Sequence, residues 1–153
     1  MQEVSAHLIG EYRALGDLCE TLTPEQWRLR TDFYDWTPWD EIAHLAYFDE
    51  TGLQAVTEPE RFTAGKQVLQ EERARGEEFS TIARRRFGHL DGAALLSLWR
   101  ERFEALAGVL ARLEPKARLP WYGPDMSARS FATARLMETW AHEIGRASCR
   151  ERV

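Results

Sequence analysis

The stretch Thr37-Pro38-Trp39-Asp40-Glu41-Ile42-Ala43-His44-Leu45-Ala46-Tyr47-Phe48 decides the fold. Thr37 is a side chain that caps helix N-termini, and Pro38 after it suits a first helical turn, where its missing N–H costs nothing. Asp40 and Glu41 then fall where negative charge meets the positive end of the helix dipole. Beyond them Ile42, Leu45, Phe48, Gly52 and Val56 recur at intervals of three and four, the buried face of one long helix.

Toward the N-terminus the same period, carried by Val4, Leu8, Tyr12, Leu15, Leu18 and Leu22, predicts a first helix over Gln2 to Thr21. Thr23-Pro24-Glu25-Gln26 has capping-box form and opens a short turn carrying Trp27. On the other side, Pro59 to Phe87 shows a weaker pattern, with Phe62, Leu69, Phe79, Ile82 and Phe87 interrupted by Gly65 and Gly76, and reads as a helical crossover. Asp91 caps the next helix, whose Leu95, Leu98, Trp99, Leu106, Val109, Leu110 and Leu113 form the strongest apolar stripe of the chain. Pro115, Pro120 and Pro124 mark a loop whose Trp121 and Tyr122 are costly to leave in water, so it should fold back over the helices. Ser127 caps a last helix running through Phe131, Ala134, Glu138, Ala141 and His142. No segment alternates with period two, so no strands are expected. The expected fold is all-α, a four-helix bundle with a helical crossover between the second and third bundle helices, an architecture whose facing helices can hold a metal.

Composition narrows the function. The 153 residues suffice for one core, and a hydrophobic content of 44% excludes a disordered chain. No apolar run nears the ~20 residues a bilayer demands, and Met1-Gln2-Glu3-Val4 does not begin a signal peptide, so a cytoplasmic protein without a membrane partner is expected. A net charge of −5 leaves no basic footprint for nucleic acid. Cys19 and Cys149 lack metal or redox spacing, and Cys19 reads as a small core hydrophobe. The tail Ile144-Gly-Arg-Ala-Ser-Cys-Arg-Glu-Arg-Val153 back-translates to ATCGGAAGAGCGTCGTGTAGGGAAAGAGTG, which looks like read-through of a sequencing adapter. The expected division is therefore a metal-binding bundle over 1–143, its natural continuation cut near His142, and a non-native tail over 144–153. A genuine basic C-terminal end is the alternative.

Glu138 and His142 lie four apart on the last helix, so they share a face with Phe131, Ala134 and Ala141 and are expected to point inward. His44, between the buried positions of the second helix, is a candidate third ligand. Two histidines and one carboxylate give zinc three protein ligands and leave a fourth position open, the pattern of a catalytic site. The same spacing also suits a buried Glu–His hydrogen bond with His44 a separate core residue, and spacing alone favours that plainer reading. His7 and His89 have no comparable neighbours, the Arg84-Arg85-Arg86 run reads as a solvated helix face, and the six tryptophans read mostly as core.

Taken together, Trp36-Thr37-Pro38-Trp39-Asp40-Glu41-Ile42-Ala43-His44-Leu45, Pro120-Trp121-Tyr122-Gly123-Pro124 and Met137-Glu138-Thr139-Trp140-Ala141-His142 resemble the DinB-like superfamily, specifically the metal-binding N-terminal domain of mycothiol-dependent maleylpyruvate isomerases. The resemblance spans almost all of residues 1–142. It implies that His44, Glu138 and His142 bind a divalent metal, Zn²⁺ or else Ni²⁺ or another divalent ion. It further implies that this metal activates the thiol of mycothiol toward a small electrophilic substrate, in an isomerase or S-transferase. Family members carry a second, C-terminal domain that helps form the substrate site, and this sequence lacks it, so the chain by itself is expected to be inactive. A non-enzymatic metal-binding or interaction module and a metal-assisted hydrolase are the other readings.

Overall fold

Thr37 caps its helix as the sequence predicts. In the computed structural model its hydroxyl accepts from the Asp40 N–H at 3.2 Å, and the Asp40 carboxylate accepts from the Thr37 N–H at 3.0 Å. This reciprocal pair opens α2, Pro38–Thr57. The structure describes residues 1–150, with side chains described through His142. The end of the expected non-native tail, residues 151–153, therefore lies outside the described residues, as do the side chains of the rest of it.

Four long helices make the bundle: α1 (Gln2–Glu20), α2, α5 (Gly92–Ala111) and α6 (Ala128–Arg150). α1 and α2 lie diagonally opposite, each packed between α5 and α6. The predicted caps form: Asp91 accepts from Ala94 N at 2.8 Å, Ser127 accepts from Ser130 N at 3.1 Å, and the Thr23–Gln26 box closes at 2.9 and 3.2 Å. Leu8, Tyr12, Leu15, Ile42, Leu45, Leu95, Leu106, Leu110 and Phe131 are fully removed from water. α2 and α6 approach closely at Gly52, where an added Cβ would come 2.8 Å from Phe131 Cζ, so the ring rests directly on the α2 backbone.

The crossover departs from a single helix. Gly76, at φ 85°, is the left-handed residue that glycine tolerates best, and it separates α3 (Pro59–Ala74) from α4 (Phe79–Phe87). The three arginines of α4 are exposed but not idle: Arg84 reaches Asp40 at 2.7 Å, Arg86 reaches Glu50 at 2.7 Å, and Arg85 reaches Glu72 at 2.8 Å, stitching α4 to α2 and α3. The sequence showed no strand signal, yet a two-residue ladder is present, β1 (Arg118–Leu119) against β2 (Met126–Ser127). Elements this short carry no readable period. The ladder closes the loop that folds back as expected, with Trp121 stacked on Phe62 at 5.7 Å and set edge-on to Phe131 at 4.8 Å. Lys66 fixes it by donating to the Trp121 carbonyl at 2.5 Å.

Candidate metal centre

α2 and α6 bring His44, Glu138 and His142 together. His44 Nε2 stands 3.5 Å and His142 Nε2 3.8 Å from Glu138 Oε2. One ligand atom from each residue falls within 4.8 Å of the others, the one such His/Cys/Asp/Glu grouping among the described residues. Tetrahedral zinc with bonds of about 2.0–2.1 Å separates its ligands by roughly 3.3–3.5 Å. The donor types suit such an ion, and the two Glu138 contacts lie within a few tenths of an ångström of that spacing, while the widest pair, up to 4.8 Å apart, would have to close by about 1 Å.

Glu138 is placed differently from the expectation. Its side chain is 50% exposed and Ala141 is exposed as well, because the buried stripe of α6 is Ala128, Phe131, Ala132, Arg135, Thr139 and His142. At about 100° per residue, positions 138 and 141 fall on the shoulder of that stripe. Glu138 thus needs no full desolvation and meets the histidines from the solvent side, while His142 is buried at 5%.

Burial holds the pKa of His44 below the ordinary histidine value, against a partial upward pull from Glu138. This shift favours the neutral imidazole, the form a metal ligand requires. The contact with His44 holds the Glu138 carboxyl below the usual carboxylate range, with burial opposing and Arg135 assisting.

Aromatic rings enclose the imidazoles. Phe48 and Phe79 lie 4.8 and 5.1 Å from His44, and Trp36 stacks 6.2 Å from His142 at 13°. Trp36 reaches this place through a tight loop in which Tyr34 and Asp35 adopt φ of 50° and 58°. Left-handed backbone is unusual for such residues. Thr31 N to Trp36 O at 2.8 Å and Trp36 N to Phe33 O at 2.9 Å hold the loop closed.

Sequence reading did not pick out the cluster beneath the triad. Asp49, wholly buried on α2, accepts from Tyr12 Oη at 2.5 Å, from Trp99 Nε1 at 2.8 Å and from Arg135 Nε at 2.8 Å. Each donor comes from a different bundle helix. Burial works against the Arg135 charge, but Asp49 and Tyr12 more than offset it and raise its pKa. Burial raises the Tyr12 pKa well above its ordinary value. The available signal was helical spacing, since Arg135 falls on the Phe131 to His142 stripe and Asp49 lies four residues beyond Leu45. Of the other candidates, His7 and His89 are exposed and lie outside the grouping, and Cys19 is buried core. Trp27 and Trp99 are buried as expected, whereas Trp140 is 58% exposed.

Fold and site together define a helical bundle with a His–Glu–His grouping between two of its helices. The sequence profile of the mycothiol maleylpyruvate isomerase N-terminal domain matches residues 8–144, and the chain belongs to that family. It is also similar to uncharacterized proteins from two strains of Mycobacterium tuberculosis, each 35% identical over 139 residues, covering 91% of this chain and 53% of the relative. The chain thus spans about half the length of these curated relatives. No solved structure matches it. No helix among the described residues is long and apolar enough to cross a membrane.

Proposed function

We propose that the chain is the divalent-metal-binding domain of a mycothiol-dependent isomerase or S-transferase, with His44, Glu138 and His142 holding the ion. The observation that carries this reading is the convergence of two imidazole nitrogens and a carboxylate oxygen from facing helices in a member of this family. A zinc ion there would act as a Lewis acid that favours the deprotonated form of a thiol at neutral pH.

The chain's own residues prepare that chemistry. Burial keeps His44 neutral, so an incoming ion displaces no proton from it near pH 7. Glu138 supplies the anionic ligand from the solvent edge. Phe48, Phe79 and Trp36 exclude water from the imidazole faces. Orienting an electrophile would fall to groups outside the ligand set, because the three proposed ligands can activate a thiol but do not themselves align a second substrate.

Elemental analysis after dialysis is expected to find about one zinc or nickel per chain, and His44→Ala to reduce this sharply. Mycothiol added to the cobalt-loaded chain should produce a thiolate-to-metal charge-transfer band. Unchanged metal content in His44→Ala would overturn the ligand assignment. A metal-loaded chain whose spectrum ignores mycothiol would overturn the thiol reading and leave a structural ion.

A further inference from the structure

A cavity of about 220 Å³ opens beside the triad, walled by Phe48, Trp121 and Phe131, with His44 and Glu138 along one side and Arg135 among its lining. Arg135 is 3% exposed and spends its Nε on Asp49, yet its Nη2 is buried with no hydrogen-bond partner among the described residues. A buried guanidinium nitrogen without an acceptor is costly, and such groups are nearly always satisfied. An anion seated in the cavity that Arg135 lines would satisfy it after a small shift of the side chain.

The walls narrow the class of anion. Phe48, Trp121 and Phe131 offer ring faces and edges, which favour a flat, apolar body over a hydrated one such as phosphate. A planar guanidinium fork matches the geometry of a carboxylate. At about 20 Å³ per heavy atom of packed matter, the space takes a molecule of roughly ten heavy atoms. We propose that this cavity is a subsite for a small aromatic carboxylate, with Arg135 as its specificity-determining residue and the aromatic walls holding its ring. The inference rests on the proposed function in setting that ligand beside the ion, but recognition by Arg135 does not require the ion.

The test titrates the full chain with benzoate and with its neutral analogue benzamide, in zinc-loaded and in chelator-treated protein, following tryptophan fluorescence and ligand-observed NMR. Metal-free protein is expected to bind benzoate at least tenfold more tightly than benzamide. Arg135→Lys, which keeps a cation beside Asp49 but removes the fork, should weaken benzoate at least tenfold. Ala134→Leu, which fills the cavity without touching the Asp49 cluster, should abolish binding at an unchanged melting temperature, so the assignment can be judged even where Arg135→Lys folds poorly. Equal binding of the two probes, or benzoate binding that survives Ala134→Leu, would overturn the subsite. Benzoate binding seen only with zinc and indifferent to Arg135→Lys would also overturn it, placing the carboxylate on the ion and leaving the metal reading intact. Selective benzoate binding by a chain that takes up no zinc would uphold the subsite while removing the metal reading.

Discussion

Two polar clusters join α2 to α6 little more than a helical turn apart, and they treat charge in opposite ways. Around Asp49 one carboxylate receives a donor from each of the other three bundle helices, and the charge of Arg135 balances its own. Around Glu138 the near neighbours are two imidazoles at 3.5 and 3.8 Å, and the Arg135 guanidinium gives its Nε to Asp49. In the first cluster the Asp49 carboxylate finds its partners within the fold, with only Arg135 Nη2 left over, and the cluster behaves as an internal lock on helix position. The second gathers ligand-type atoms that, under the proposed function, an ion from outside would complete. A charged side chain therefore marks structure where it is buried among partners supplied by the fold, and points to function where it is half-exposed beside neutral ligand-type groups.

The sharpest break in this comparison is Asp49→Ala. It leaves three buried donors and the Arg135 charge without an acceptor, and the loss should reach about 3–5 kcal/mol in urea unfolding. Replacing Asp49 and Arg135 together by Leu and Met should recover most of that loss, since no charge is then left stranded. A cost below about 1 kcal/mol for Asp49→Ala would show that the cluster is no lock.

Gly52→Ala comes next. The added methyl meets Phe131 Cζ, forcing α2 and α6 apart at an expected cost of about 1–3 kcal/mol, read from the same unfolding curves. Both clusters bridge these helices, so zinc affinity should fall with stability. Unchanged zinc affinity at reduced stability would mean that the triad adapts independently of helix spacing. His44→Ala should reverse that balance. In metal-free protein it should move stability by no more than about 1 kcal/mol, while erasing the rise in Tm that zinc confers on the unsubstituted chain.

What the sequence disclosed and what it withheld follow the same division. Caps and apolar periods are local, so Thr37, Asp91 and Ser127 and the stripes of α1, α2 and α5 could be read directly. The grouping of His44, Glu138 and His142 was legible chiefly because their surrounding motifs resemble a known family, since spacing alone favoured a plain Glu–His hydrogen bond with His44 apart. The break at Gly76 lay inside an apolar pattern too weak to locate it. The orientation of Glu138 depended on how α6 rotates against its neighbours, a tertiary property that single-helix spacing leaves open by a residue. Asp49 and Arg135 were hidden for another reason: a charged residue inside an apolar stripe reads as an exception until its partners, 86 residues apart in sequence, are seen to meet.

The smallest effect concerns pH, and it separates the clusters without disturbing either. His44 is held below its ordinary value of 6.5 in the folded protein, so the unfolded chain binds that proton more readily. Stability must then fall as pH drops below about 6.5, with a slope for one proton of at most about 1.4 kcal/mol per pH unit, until the folded-state pKa is passed. Glu138 is also held low, and its contribution, present above the ordinary glutamate value of 4.5, is lost only in more acid solution. Arg135 and Tyr12 are shifted upward from values already far above neutrality, so neither titrates between about pH 7 and pH 5. In metal-free protein, urea unfolding across that range should show a declining stability that His44→Ala flattens and Asp49→Ala leaves with the same slope from a lower starting point. Saturating zinc should steepen the decline, because protons and metal then compete for the same imidazoles. An Asp49→Ala chain that lost the slope would place the titrating group in the lock and the division between the two clusters would fail, whereas a slope kept in the His44→Ala chain and in the His44→Ala/His142→Ala double variant would remove it from the triad.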